Sequence, residues 1–260
     1  MLRTHCGGYH KNEAERLGGC RDIETRLTPN PAERVQRMLR LLPKSQGASA
    51  GRIVRWMDSG RTRRQGETMA NSDSYVTIHM AASLDGFIAR KDGRVDWLET
   101  SDEFAGGDTM DPGFVEAFLK TIDCYVMGSR TYETALSFEA KGMGWSYGDK
   151  PTFVLTRREL PRTRDTVEFY SGDLAQFVNG RLRPTFRSIW FVGGGVVSAE
   201  CLRLGLADEV RYSILPILIG DGIPFFDKLD RDVALHLVEV KAYKSGIVEL
   251  RYEVRGQAAA

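Results

Sequence analysis

A chain of 260 residues that is 42% hydrophobic has room for one large domain or two small ones. A mean hydropathy of −0.31 and the lack of any apolar run near spanning length argue against a helical membrane protein. The formal net charge of +1 hides a split, because residues 1–68 carry 14 Lys/Arg against 7 Asp/Glu and the rest carry 22 against 28.

The first residues lack the apolar core of a secretory signal. Cys6, Cys20, Cys124 and Cys201 lack the paired spacing of a zinc site or a disulfide framework. His5 and His10 lie near Cys6 and Cys20, but without CxxC or HxxxH spacing, so no metal is expected. A reduced, cytoplasmic setting fits this usage.

Residues 1–68 read poorly as a folded unit. Arginines are scattered through them from Arg34 to Arg64, and apolar residues are sparse. Only 31–42 has helical spacing, with Val35, Met38, Leu39 and Leu42 at i, i+3, i+4 and i+7. One short helix buries no core by itself. We expect residues 1–72 to be a disordered basic leader that is not native, with Met69 as the natural start. A flexible basic arm that binds nucleic acid is the alternative, and it requires salt-dependent binding. The domain proper is expected over 73–256.

The texture changes after Met69. Residues 75–81 alternate and are rich in β-branched side chains, which predicts a strand. Residues 111–121 read as a helix with Asp111 and Pro112 at its start and Phe114, Val115, Phe118 and Leu119 as its apolar stripe. Strands are predicted at 123–127, 152–156, 188–192 and 209–216, and helices at 129–136, 174–181 and 196–204. Residues 235–243 and 247–254 form a hairpin around Lys244-Ser245-Gly246. Strands alternating with helices give an α/β fold, with a mostly parallel central sheet and an antiparallel C-terminal hairpin.

Chemistry is expected at the strand-to-helix junctions. In Phe191-Val-Gly-Gly-Gly-Val196 a strand runs into a helix through three glycines, and a helix N-terminus with unpaired N–H groups attracts phosphate. A tight turn is the alternative reading, and the spacing is not GxGxxG. Val126-Met-Gly-Ser-Arg-Thr-Tyr132 is a second junction, with hydroxyls at Ser129 and Thr131 and a guanidinium at Arg130. Val154-Leu-Thr-Arg-Arg158 is a third. Ligands bind at the carboxyl ends of parallel strands, so three such junctions in one sheet reinforce one another. Asp85-Gly86 reads as a turn, and Asp96, Asp108 and Asp111 are the carboxylates expected near a cleft. Proton donation to an imine-like nitrogen would fall to one of these, Asp111 first. His79, inside a strand, reads as a packed histidine.

The segments SLDGFIA, DWL, MGSRTYE, VLTR, FVGGG and GLADEV…LPILIGDGIPFF occur in an order that resembles the dihydrofolate reductase superfamily. They are most similar to the reductase domain of riboflavin biosynthesis and its stand-alone relatives. The resemblance spans about residues 74–255. It implies a dihydrofolate-reductase-like three-layer fold, NADPH as hydride donor and a homodimer. By position it assigns Gly193, Gly194, Gly195 and Val196 to the pyrophosphate, with a cis peptide at Gly193–Gly194. It assigns Gly128, Ser129, Arg130 and Thr131 to phosphate, and Thr156 and Arg157 to the adenosine 2′-phosphate. Ala82 would meet the nicotinamide, Ser83, Asp85 and Trp97 the substrate, and Asp111 and Asp85 would be catalytic. The chain departs from the pattern at Ser129, where many members carry arginine, and Arg130 is placed to compensate.

The function implied is an NADPH-dependent reductase of a small heterocycle, either 5-amino-6-(5-phosphoribosylamino)uracil-like or pteridine-like. A non-catalytic nucleotide- or flavin-binding module of the same fold is the alternative.

Overall fold

The computed structural model describes residues 74–255 except 101 and 111. The expectations for residues 1–72, for Cys6 and Cys20 and for Asp111 lie outside the described residues. Among the described residues no helix is long and apolar enough to cross a membrane.

The chain enters through β1 (Tyr75–Ser83) and turns into β2 (Phe87–Ala89), then crosses a long loop with a 3-10 turn at Asp96–Glu99. It continues through α1 (Pro112–Thr121), β3 (Cys124–Gly128), α2 (Ser129–Ala140), β4 (Thr152–Leu155) and β5 (Val167–Tyr170). Helix α3 begins at Leu174–Phe177 and runs through a π turn at Val178–Leu182 into Arg183–Thr185. Then come β6 (Ser188–Gly193), α4 (Gly195–Arg203), β7 (Glu209–Leu215), β8 (Ile223–Pro224), β9 (Leu235–Ala242) and β10 (Val248–Val254).

Eight strands form one sheet in the order β5-β4-β3-β6-β1-β7-β10-β9. The first six are mutually parallel, and β10 pairs antiparallel with both β7 and β9. This is the α/β architecture expected from the alternating pattern and the closing hairpin. Strands β2 and β8 make a separate short ribbon, and neither β5 nor this ribbon was predicted.

One face of the sheet carries the main core. Ile78, Met80, Ala82, Val126, Phe191 and Val210 meet Phe177, Leu182, Cys201 and Leu202 from α3 and α4. The other face packs Tyr125, Met127, Val154 and Val167 against Tyr132 of α2. A smaller cluster of Trp97, Leu215, Tyr243 and Ile247 lies beneath the long loop, at the carboxyl ends of β1 and β7. Cys124 and Cys201 are free and fully buried, and burial pushes both thiols above their ordinary range.

Polar contacts fix the ends of these elements. Arg183 donates to the carbonyls of Ser74 (3.0 Å) and Leu206 (2.7 Å) and pairs with Asp208 (3.0 Å), whose carboxylate also accepts from the Val76 N–H (2.8 Å). The Lys150 ammonium donates to the carbonyls of Leu119 (2.7 Å) and Ile122 at the C-terminal end of α1, where a cation suits the helix dipole.

Phe191 is fully buried in the strand between β3 and β1. Its replacement by alanine is expected to cost about 3–5 kcal/mol, because the surrounding sheet cannot collapse onto the cavity. Urea unfolding followed by circular dichroism checks this: the midpoint falls while the slope stays constant.

Candidate active site

Parallel strands place all their carboxyl ends on one side, and the strand order divides the connections there. The chain leaves β3 through α2 toward β4, on one side, and leaves β6 through α4 toward β7, on the other. A crevice opens where such connections diverge. Both flanking helices start at a glycine N-cap, Gly128 for α2 and Gly194 for α4, and neither cap position makes a side-chain hydrogen bond. The first N–H groups of both helices therefore point at the crevice without a side-chain acceptor at the cap.

The two junctions touch. A Cβ on Gly128 would lie 3.1 Å from Val197 Cγ2 and 4.0 Å from both Gly193 O and Gly194 N. A Cβ on Gly194 would lie 3.8 Å from Thr131 Oγ1. The other two glycines of the triplet are closed off by protein: a Cβ on Gly193 would strike the Met80 sulfur, and one on Gly195 the Pro224 carbonyl oxygen. Gly193 has φ +125° and its bond to Gly194 is cis, as the resemblance implied. Val196, at the first turn of α4, is 62% exposed. Arg130 and Arg157 stand exposed beside α2, whereas Arg158 pairs with Glu133. Thr156 is half-buried and accepts the Arg158 N–H (2.9 Å).

At the end of β1 the chain turns sharply. Ala82 and Ser83 are fully buried. The Ser83 hydroxyl accepts from the Phe87 N–H (3.1 Å) and its carbonyl from the Gly86 N–H (2.9 Å), so both hold the turn. Asp85 accepts from the backbone N–H groups of Gly220 (2.7 Å) and Ile219 (3.2 Å). The Ser83 hydroxyl and these N–H groups hold its carboxyl below the ordinary aspartate range. At neutral pH Asp85 is thus an acceptor that ties the turn to the loop after β7. Leu84, between them, is 62% exposed on the crevice rim. Trp97 is 3% exposed, packed under the loop, and its indole N–H has no hydrogen-bond partner. Asp96 pairs with Arg90 through two contacts of 2.8 and 3.0 Å. Asp108 lies on the hairpin tip, where its N–H donates to Ala242 O (2.8 Å).

A further surface, which motif reading missed, lies on the α1 side of the sheet. There Thr77, His79 and Ala81 of β1 lie beside Glu209, Arg211 and Ser213 of β7. His79 and Trp190 stack at 5.4 Å and 23°, and Phe118 of α1 meets both rings edge-on, at 5.8 and 5.4 Å. His79 Nε2 lies 3.0 Å from Ser213 Oγ, while Nδ1 has no partner. Burial, then Arg211, pushes the imidazole pKa down to about 3, so it is neutral at physiological pH. The available signal was the polar alternation of β1 and β7, since interior parallel strands are ordinarily apolar on both faces.

Fold and site together define an α/β domain of the dihydrofolate-reductase-like class. The chain belongs to the RibD C-terminal domain family, whose model matches residues 74–249. YwjB of Bacillus subtilis (strain 168) is 30% identical over 177 residues, which cover 68% of this chain and 96% of that protein. YyaP of the same organism is 28% identical over 191 residues, covering 70% and 95%; both are described as uncharacterized. The crystal structure of a "putative riboflavin biosynthesis protein" from Shewanella sp. PV-4 is similar at a TM-score of 0.60 and 30% identity, covering 70% of this chain and 99% of that one. A Thermotoga maritima diaminohydroxyphosphoribosylaminopyrimidine deaminase/5-amino-6-(5-phosphoribosylamino)uracil reductase shares the fold at a TM-score of 0.51 and 18% identity, covering 70% and 57%. These matches support a reductase-like role.

The depressed carboxyl of Asp85 has a testable consequence for stability. A carboxyl held below its unfolded value stabilises the fold above that value, near pH 4, and the contribution fades as pH falls through the folded value. Asp85→Asn is therefore expected to lower the thermal midpoint at pH 7, and the difference from the parent chain should shrink as the pH falls into the acid range. Melting curves of both proteins across that range check the sign.

Proposed function

We propose that this domain is an NADPH-dependent reductase acting on a small heterocycle. The observation that carries the reading is the meeting of two uncapped helix N-termini at the divergence of β3 and β6, with Arg130 and Arg157 beside them. Such a place suits a pyrophosphate, and an extra guanidinium suits a 2′-phosphate. The residues fit a dinucleotide in this respect: a Cβ at Gly194 would already be in contact with Ile88 and Thr131, so the bare backbone leaves that space to a ligand, and no side chain hydrogen-bonds at either cap.

Bound there, NADPH would supply a hydride. The protein's own part is to hold and orient. Gly193, Gly194, Gly195 and Val196, with Gly128, Ser129, Arg130 and Thr131, would seat the phosphates. Thr156 and Arg157 would receive the 2′-phosphate, and Ala82 would back the nicotinamide. Ser83 keeps the β1–β2 turn in place, so that Leu84 and Asp85 face the substrate end. Asp85, already ionised, orients, and the proton would fall to Asp111, the residue that precedes Pro112 in the sequence. Trp97 supports the substrate end from beneath. A cytoplasmic homodimer belongs to the same reading, with the exposed Leu235, Leu237 and Val240 of edge strand β9 as its contact.

Titration of NADPH and NADH into the full chain, followed by nicotinamide fluorescence, tests the cofactor. NADPH is expected to bind in the micromolar range, at least about tenfold tighter than NADH. Arg157→Ala should erase that preference, since a charge-assisted contact is worth about 1.5–3 kcal/mol. NADPH binding without oxidation by any heterocycle would favour the non-catalytic module, and binding of neither nucleotide would end the cofactor assignment.

A further inference from the structure

We propose that the substrate end of this crevice takes a flat heterocycle bearing no phosphate, and that Ser213, positioned by His79, is the polar contact that orients it. The proposal rests on the reductase reading and narrows its substrate class.

The surface under α1 has the makings of a binding floor. Ile78 and Phe191, on the opposite face of β1 and β6, are fully buried. His79, Ala81, Trp190, Val192, Arg211 and Ser213, on the α1 face, are half-buried. Trp190, His79 and Phe118 lie on this face in mutual contact. Aromatic faces of this kind attract flat conjugated rings. This face continues upward past Ala81 to the carboxyl end of β1, where the crevice lies.

One polar group is fixed on that floor. A serine hydroxyl has one donor and two acceptor sites, and a single contact with His79 leaves the others available. The neutral imidazole sets the direction of the Ser213 hydroxyl without bringing charge. The group so presented matches a ring carbonyl, ring nitrogen or exocyclic amine.

Charge then decides the class. The cations next to the floor are already held: Arg211 Nε lies 2.5 Å from Glu209 and its guanidinium 4.9 Å from the Phe118 centroid. Arg251 pairs with Glu209 (3.2 Å) and Glu239 (3.4 Å), and Lys241 with Glu239 (3.1 Å). The rim is acidic. Asp85 and the exposed Asp102, Glu103 and Asp108 surround the turn and the hairpin tip, outnumbering Lys244. Glu249 lies opposite Ser213 in the register, and burial raises its carboxyl pKa. Arg130 and Arg157 stand beside α2, at the other end of the crevice. One end thus attracts phosphate and the other repels it, which discriminates by repulsion against phosphorylated substrates.

The test uses the full chain with and without saturating NADPH, read by tryptophan fluorescence. Pterin is expected to bind, and uridine 5′-phosphate to bind no tighter than uridine. Ser213→Ala should weaken pterin at least about tenfold with the NADPH affinity unchanged. His79→Leu should weaken it similarly, and His79→Gln, which keeps a hydrogen-bonding group, should recover part of the loss. A tenfold gain from the 5′-phosphate overturns the phosphate exclusion. Parental pterin binding in Ser213→Ala, or no binding by any probe to protein that binds NADPH, overturns the floor. Pterin binding by protein that takes no NADPH would sustain the floor and sink the reductase reading.

Discussion

Backbone passes close to backbone at the tops of β3 and β6, and the rest of the crevice follows from that approach. Gly128 sits where a Cβ would crowd Val197 and come within reach of Gly193 and Gly194. With side chains kept small there, α2 and α4 begin next to each other, with their positive ends converging. Helix starts that lack a capping side chain leave donors to be satisfied by water or by an anion. The strand order ensures that these starts flank an opening, because the two chain paths leave it in opposite directions.

The α1 face of the sheet shows what the fold tolerates around such a site. Glu209 is only 1% exposed, a position at which a lone carboxylate would be strongly disfavoured. Arg211 and Arg251 bracket it, and Tyr75 and Thr77 donate to it at 3.4 and 3.5 Å. Removing one partner of such a group costs more than the pair contributes. This bracketed charge forms one flank of the aromatic floor and draws the nearby guanidinium groups onto itself.

Most of the scaffold was legible because it is written locally. The β-branched alternation of 75–81, the apolar stripe of 111–121 and the Gly193–Gly195 run each specify an element without help from the rest of the chain. What was missed is held by distant contacts. Strands β2 and β8 have 3 and 2 residues and exist because they pair across the fold. Gly222 is packed so closely on Ala89 that a Cβ would meet its carbonyl oxygen. Strand β5 is only 4 residues long and its edge position is set by pairing with β4, and the π turn in α3 has no sequence signature. At the candidate site, motif order located the glycines, Arg130 and Arg157. Spacing alone did not reveal that the Ser83 hydroxyl is engaged within its own turn, that Trp97 lies beneath the loop, or that His79 stacks on Trp190 under Phe118. The first is set by the geometry of one turn, the second by the packing of the loop on Leu215, Tyr243 and Ile247, and the third by which face of β1 meets α1.

The two buried cysteines give the domain a property of another kind. Cys124 lies on a central strand and Cys201 on the inner side of α4, both fully covered and both with thiols that resist ionisation. The thiolate is the reactive species, so neither sulfur meets an electrophile or an oxidant while the sheet and α4 stay packed. Alkylation of these positions therefore counts openings of the core. The protein carries an internal clock for its own unfolding, with one hand in the sheet and one in the helix that bounds the crevice.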